Sequence, residues 1–154
     1  MGYAYAIARE GVTPVADATI LAGITDAAAV NEIVRINEIS MGGEAVASAV
    51  NRYVLRRATT VGALPTAQTP AELSSAGPAS QTAWATTFGT QPITAAAPAV
   101  WTYAMNAFGG IIRWAAAPNQ EILCSGAVAG DQQVSLESAS GTSVISTQIL
   151  FEEL

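Results

Sequence analysis

The chain of 154 residues contains no histidine and no lysine, a single cysteine, and only 12% charged residues. Each shortage removes a class of chemistry. Without His or Lys, a serine or threonine nucleophile has no ordinary base, there is no Schiff-base amine, and transition metals lose the imidazole ligand. With Cys124 alone, no disulfide can form within the chain, so assembly in a reducing cytoplasm is compatible with the sequence. Its neighbours Leu123 and Ser125 supply no cation to stabilise a thiolate, which makes Cys124 a small buried hydrophobe.

Charge is short in number and lopsided in sign. All six positive groups are arginine (Arg9, Arg35, Arg52, Arg56, Arg57, Arg113) against twelve acids, a net charge of −6. That field repels phosphate backbones, so no nucleic-acid partner is expected. Soluble domains average about 25% charged residues, whereas this chain combines 51% hydrophobic residues with a mean hydropathy of +0.35. Part of its surface is therefore expected to be covered by something other than water.

That cover is not expected to be a bilayer. The stretch from Ile93 to Ile112 is uncharged and reaches about the 20 residues of a spanning helix. Pro98, Asn106 and Gly109-Gly110 interrupt it, however, and alanine supplies much of its bulk. Met1-Gly2-Tyr3-Ala4 lacks the basic opening of a secretory leader, and Ala6 departs from the myristoylation pattern, so no export or lipid anchor is expected.

What the sequence does contain is short runs of β-branched and aromatic residues punctuated by Gly, Pro, Asn and Ser. The pattern predicts an all-β jelly-roll or related antiparallel β-sandwich with an N-terminal arm and one long Pro-rich loop. Ile145, Thr147, Ile149 and Phe151 alternate with Ser146, Gln148 and Glu152, a period of two that defines a strand. Gln133–Glu137 alternates likewise, and with the turn Ser138-Ala139-Ser140-Gly141 it predicts a C-terminal hairpin. Ile111–Ala115 and Glu121–Ser125 around Ala117-Pro118-Asn119-Gln120 predict a second. The expected core includes Trp114, Ile122, Leu136, Ile145, Ile149 and Phe151.

Further strands are expected over 51–60, around Trp84 and Phe88, and at Val100–Met105, where Trp101, Tyr103 and Met105 share a face. Residues 61–82, with Pro65, Pro70 and Pro78, have no apolar period and form the long loop. Residues 26–40 fit either a helix capped by Asp26 or a strand from Val30 to Ile39. The chain divides into an N-terminal arm or edge segment at 1–29 and a single β-sandwich domain at 30–154. Tyr3, Tyr5 and Ile7 are too apolar for a free tail, and Gly11 and Pro14 separate them from the rest of the chain.

Sites for chemistry are weak. Asp17, Asp26, Asp131 and the scattered glutamates do not match calcium-loop spacing, and Gly42-Gly43 and Gly109-Gly110 lack the rest of a phosphate loop. No catalytic residue, metal site or cofactor is expected. Glu152-Glu153 is expected to be a solvated strand end. Arg52, Arg56 and Arg57 are expected in an inter-subunit or intramolecular ion pair, with Glu38 and Glu44 as candidate partners.

Four phrases carry a resemblance: Val34-Arg35-Ile36-Asn37-Glu38-Ile39-Ser40, Tyr53-Val54-Leu55-Arg56-Arg57-Ala58-Thr59-Thr60-Val61-Gly62, Arg113-Trp114-Ala115-Ala116-Ala117-Pro118-Asn119-Gln120-Glu121-Ile122, and Ile149-Leu150-Phe151-Glu152-Glu153. In this order, over about residues 30 to 154, the chain resembles small jelly-roll-type structural proteins of tailed bacteriophages, the capsid decoration and minor capsid proteins. The resemblance implies a non-enzymatic virion protein, assembled in the host cytoplasm, that stabilises the shell through subunit contacts. Expected partners are copies of itself, with a homotrimer favoured, and the major capsid protein or other virion proteins. Tyr3, Tyr5, Ile7, Arg52 and Arg56 are the expected assembly contacts. Two other readings stand beside this one: a receptor- or carbohydrate-binding fibre or tail-tip module, with Trp84, Trp101 or Tyr103 stacking on sugar, and a major coat subunit.

Overall fold

Alternation of inward and outward side chains sets the last strand. Ile145, Thr147, Ile149, Phe151 and Glu153 are buried, while Ser146, Gln148, Leu150 and Glu152 lie half-exposed on the other face. The computed structural model describes residues 2–15, 18–24, 33–60, 63, 66–94, 99–125 and 133–154. Their regular elements are all strands. The first four are β1 (Tyr3–Val12), β2 (Ala18–Ile24), β3 (Ile33–Glu44) and β4 (Val50–Thr60). Two-residue strands β5 (Ala67–Gln68) and β6 (Ala71–Glu72) lie in the Pro-containing loop, ahead of β7 (Ala83–Ala85) and β8 (Ile93–Thr94). The second half supplies β9 (Trp101–Asn106), β10 (Phe108–Ala115), β11 (Ile122–Ser125), β12 (Gln133–Ser140) and β13 (Ile145–Glu153).

Two antiparallel sheets result. One runs β10-β3-β13-β1-β6, with β11 also on β3; the other runs β5-β7-β2-β12-β4-β8, with β9 also on β4. The pairing is nested: β1 with β13, β2 with β12, β3 with β10, and β4 with β9. Each step from β1 to β2, β3 to β4, β9 to β10 and β12 to β13 changes sheet. This is a long hairpin folded over on itself, the strand order of a jelly roll.

The inward faces meet in one core. Tyr5, Ile7, Ile36, Ile39, Ile149 and Phe151 from the first sheet pack against Tyr53, Leu55, Trp84, Trp101 and Leu136 from the second. The Phe151 ring stacks on Tyr5 at 5.5 Å between centroids and meets Trp84 at 5.0 Å. Of the expected core members, Ile122, Leu136, Ile145, Ile149 and Phe151 are buried, and Trp114 packs against the cluster while remaining half-exposed. Cys124 is buried as well.

Several local expectations are corrected. Residues 3–12 are not an arm: Tyr3 to Arg9 pair with Glu153 to Thr147, and Tyr5 and Ala6 pair on their other side with β6. Tyr5 and Ile7 supply an inward apolar face that β13 can match. Gly11, at φ +58, lies within a bulge between Arg9 and Val12 instead of detaching the strand.

The two expected hairpins are likewise not hairpins. β12 and β13 belong to different sheets, so the turn ending at Gly141 (φ +91) crosses the sandwich. A Cβ at Gly141 would lie 2.1 Å from Asn51 Oδ1, which restricts that corner to glycine. The turn at Ala117–Gln120 does form: Gln120 N donates to Ala117 O at 2.9 Å, and Asn119 takes the left-handed φ of 66. Yet β10 and β11 both run along β3, at 38–44 and 33–36. The turn therefore interrupts one long edge instead of reversing the chain. Residues 33–44 are a strand; the helix start at Asp26 falls outside the described residues.

Phe151→Ala removes the ring between Tyr5 and Trp84. It is expected to lower the unfolding free energy by about 3–5 kcal/mol, measured by denaturant titration; a change within error would place β13 outside the cooperative core.

Candidate interaction surface

Both ends of the long loop are fastened, which makes one side of the sandwich closed. Glu153 continues the inward register of β13 and is only 8% exposed. Its Oε1 accepts hydrogen bonds from Thr82 N (2.9 Å), Thr82 Oγ1 (2.5 Å) and Ser80 Oγ (2.5 Å), and its Oε2 accepts one from Gln81 N (3.0 Å). The expected solvated strand end is thus a buried carboxylate held by four donors, which offset its desolvation. Tyr5 OH donates to Pro78 O at 3.0 Å and ties the same loop to β1. Between these anchors and the bridge of Ala63 to Thr90 at the near end of the loop, β6 covers the β1 edge of the first sheet and β5 pairs with β7 in the second.

The opposite side is open. There β9 pairs only with β4, and β10 and β11 pair only with β3, among the described residues. Edge strands such as β9 and β10, with a described partner on one side only, are templates for another strand. Apolar side chains collect around them: Ile111 is 83% exposed, Phe108 60%, Tyr103 51%, and Val100 and Leu123 are exposed too. Val46 and Val50 extend the patch at the β3–β4 turn, which Asn106 fastens to the β9–β10 corner through bonds to Ala49 N, Phe108 N and Ser48 Oγ. On the outer face of the first sheet, Ile111 also borders an open depression of about 400 Å³ lined mainly by small side chains such as Ala8, Ser40, Gly42 and Ser146.

The expected contact residues do not converge. Tyr3 is 43% exposed, Tyr5 and Ile7 are core, and Arg52 and Arg56 lie on the outer face of the other sheet. Arg56 Nε approaches Glu137 Oε2 at 3.7 Å, and Arg57, on the opposite face, donates to Leu123 O at 2.7 Å. Neither Glu38 nor Glu44 is their partner. Glu38 instead receives a fork from Arg113, Nε to Oε1 and Nη2 to Oε2, both at 2.8 Å, and Glu44 accepts from the Ser146 hydroxyl. The Arg113 hydrogen bonds hold the Glu38 carboxyl below its usual pKa against a smaller opposing effect of desolvation.

Of the aromatics considered for sugar stacking, Trp84 and Trp101 are buried, and the half-exposed Tyr103 ring lies on Trp101 at 6.0 Å. Among the described residues no three His, Cys, Asp or Glu side chains gather where they could hold a metal ion. No described helix is long and apolar enough to cross a membrane. The open edge was not singled out from sequence, although Ile111 and Phe108 flank the Gly109-Gly110 break that hides it. Glu153 was legible in principle, since it keeps the odd-numbered phase of Ile145 to Phe151.

Strand order defines the class: an all-β jelly roll. No family model matches the chain, and no curated protein sequence matches it. Its fold is similar to a chain in the cryo-EM structure of a virus-like particle of the extra small virus of the giant freshwater prawn Macrobrachium rosenbergii, at 6% identity over 98% of this chain and 79% of that one, TM-score 0.35. A KBV particle activated at acidic pH is similar at 6% identity, covering 99% of this chain and 68% of that one, TM-score 0.28. The Eiger TNF of S. frugiperda is similar at 8% identity, covering all of this chain and 92% of that one, TM-score 0.24.

Glu153→Gln replaces one acceptor oxygen of the cradle with a donor. It is expected to cost about 1–3 kcal/mol and to open residues 66–82 to limited proteolysis; an unchanged cleavage pattern would show that the loop is held without it. Glu38 has a folded-state pKa below its ordinary value of about 4.3, so its contribution is present above that value and lost as pH falls through the folded pKa. Glu38→Gln is therefore expected to be less stable than the parent at neutral pH, with the difference closing as pH falls through the lowered folded-state pKa. A difference independent of pH would assign the effect to packing.

Proposed function

We propose that this chain is a non-enzymatic structural protein of a virus particle, a decoration (cement) subunit of a tailed-phage capsid that works by adhesion to neighbouring copies and to the shell. The observation that carries the reading is the contrast between the two sides of the sandwich. One is held by the anchored loop, while on the other, among the described residues, no second strand pairs with β9 or β10 beside Ile111, Phe108, Tyr103, Val46 and Val50. Exposed apolar side chains beside strand edges that no described strand covers mark an association surface. The scarcity of charge, 12% of residues, favours the same conclusion, as do the phage-like phrases along 30–154.

A jelly roll hosts unrelated functions, so the fold by itself selects none of them. The residue chemistry favours the same choice: the chain has neither His nor Lys, and Glu153 and Glu38 are committed to structural bonds. Covering about 400 Å² of apolar surface per contact would contribute on the order of 10 kcal/mol before association costs. Repeated over many copies, such contacts stabilise a shell without any single tight one. The favoured assembly is a trimer joined along the open edge, located on the virion, with the major capsid protein as its other partner.

Light scattering over a dilution series is expected to find an oligomer at micromolar concentration, and Phe108→Asp with Ile111→Asp to yield a folded monomer with unchanged circular dichroism. A parent protein that stays monomeric throughout overturns the association. Mass spectrometry of particles purified from the source host is expected to find the chain in many copies, and its absence overturns the virion placement.

A further inference from the structure

Arg9 extends inward from β1, in phase with Tyr5 and Ile7, and bridges the two sheets. Its Nη1 donates to Ile20 O of β2 at 2.7 Å and to Thr86 O, just past β7, at 2.8 Å. Both acceptors are neutral carbonyls. Among the described residues, Arg35, Arg56 and Arg113 face carboxylates, whereas no ion pair involves Arg9. Burial lowers its pKa, the signature of a cation losing water without gaining an anion.

Arg9 also lines a cavity of about 150 Å³ at the end of the sandwich where β1 leads into β2. Thr13, Thr86 and Gln91 line it beside apolar residues such as Val15 and Phe88, while the hydroxyls of Thr19 and Thr87, also on its lining, are engaged with Ser135 and Thr66. Gln91 Oε1 accepts from Thr19 N at 3.1 Å, which leaves the amide nitrogen of Gln91 as a donor. At about 30 Å³ per water molecule, the cavity has room for a carboxylate with one or two methylenes and is too small for a nucleotide. A single guanidinium among neutral donors matches one negative charge, and its planar fork matches the two oxygens of a carboxylate.

We propose that the Arg9 cavity is a carboxylate-binding site, filled by a small free carboxylate or by an acidic side chain of a second copy of this chain. The second source deepens the adhesive reading above; the first is independent of it.

Acetate is the probe, with chloride at equal ionic strength as the control. The Nε–Hε NMR signal of Arg9 is expected to shift saturably with acetate and not with chloride, and the thermal midpoint to rise in parallel. Arg9→Gln is expected to weaken the acetate response about tenfold or more. Because that variant also loses the bridge between sheets, Gln91→Glu serves as a second one that keeps both Arg9 and the acceptor for Thr19 N while placing a negative charge in the cavity, and it is expected to abolish the acetate response with little change in the unliganded midpoint. Dissociation of an oligomer by acetate, matched by the same dissociation in Arg9→Gln, would assign the site to a neighbour's acid. Saturable binding with unchanged oligomeric state would assign it to a free carboxylate. An Arg9 signal indifferent to acetate, or responding equally to chloride, overturns the proposal. So does a response that emerges only in Asp17→Asn, since Asp17 lies in sequence between the lining residues Val15 and Ala18 and would then be the native occupant.

Discussion

The placement of β13 between β1 and β3 is the constraint on which the rest depends. One face of this strand brings Phe151 against Tyr5 in its own sheet and Trp84 in the other, and two residues on, Glu153 gathers the donors of Ser80, Gln81 and Thr82. Sheet pairing, core closure and loop attachment therefore share nine residues of chain. The last strand pairs with the first, so this contact closes the longest loop in the molecule, whose entropic cost falls on formation of the complete fold.

Nesting also decides which edges stay open. The chain from β4 to β9 is long enough to carry β5, β6 and β7 to the β1 and β2 side, where they cover strand edges. The connection from β9 to β10 is the single residue Ala107, whose backbone bonds to Ala49 and Ala45 and leaves nothing to cover either edge. A protein with many surface charges could protect such edges electrostatically. This one places Arg113 there, committed to Glu38, beside Ile111 and Phe108.

Scarcity of charge raises the consequence of each placement. Glu153 is buried and fully engaged, and one nitrogen of Arg9 holds the two carbonyls that join the sheets. The depression on the outer face of the first sheet is lined by small residues such as Ala8, Ser40 and Gly42 together with Glu10 and Gln148.

Local periodicity by itself determined the strands at β4, β9, β12 and β13, the buried ranks of Ile145 to Phe151, and the left-handed residue at Asn119, because these arise from side-chain alternation and turn chemistry over a few residues. Partner choice lay beyond it. A Ser-Ala-Ser-Gly or Ala-Pro-Asn-Gln turn has the same local chemistry whether the chain reverses beside itself, crosses to another sheet or resumes along the same neighbour. Only the competition of all strands for partners made the first a crossing and the second an interruption. The same competition drew Tyr5 and Ile7 from an expected arm into the core and turned Glu153 from a terminal charge into a buried anchor, since both depend on β1, β13 and residues 80–82 meeting across more than seventy positions of sequence.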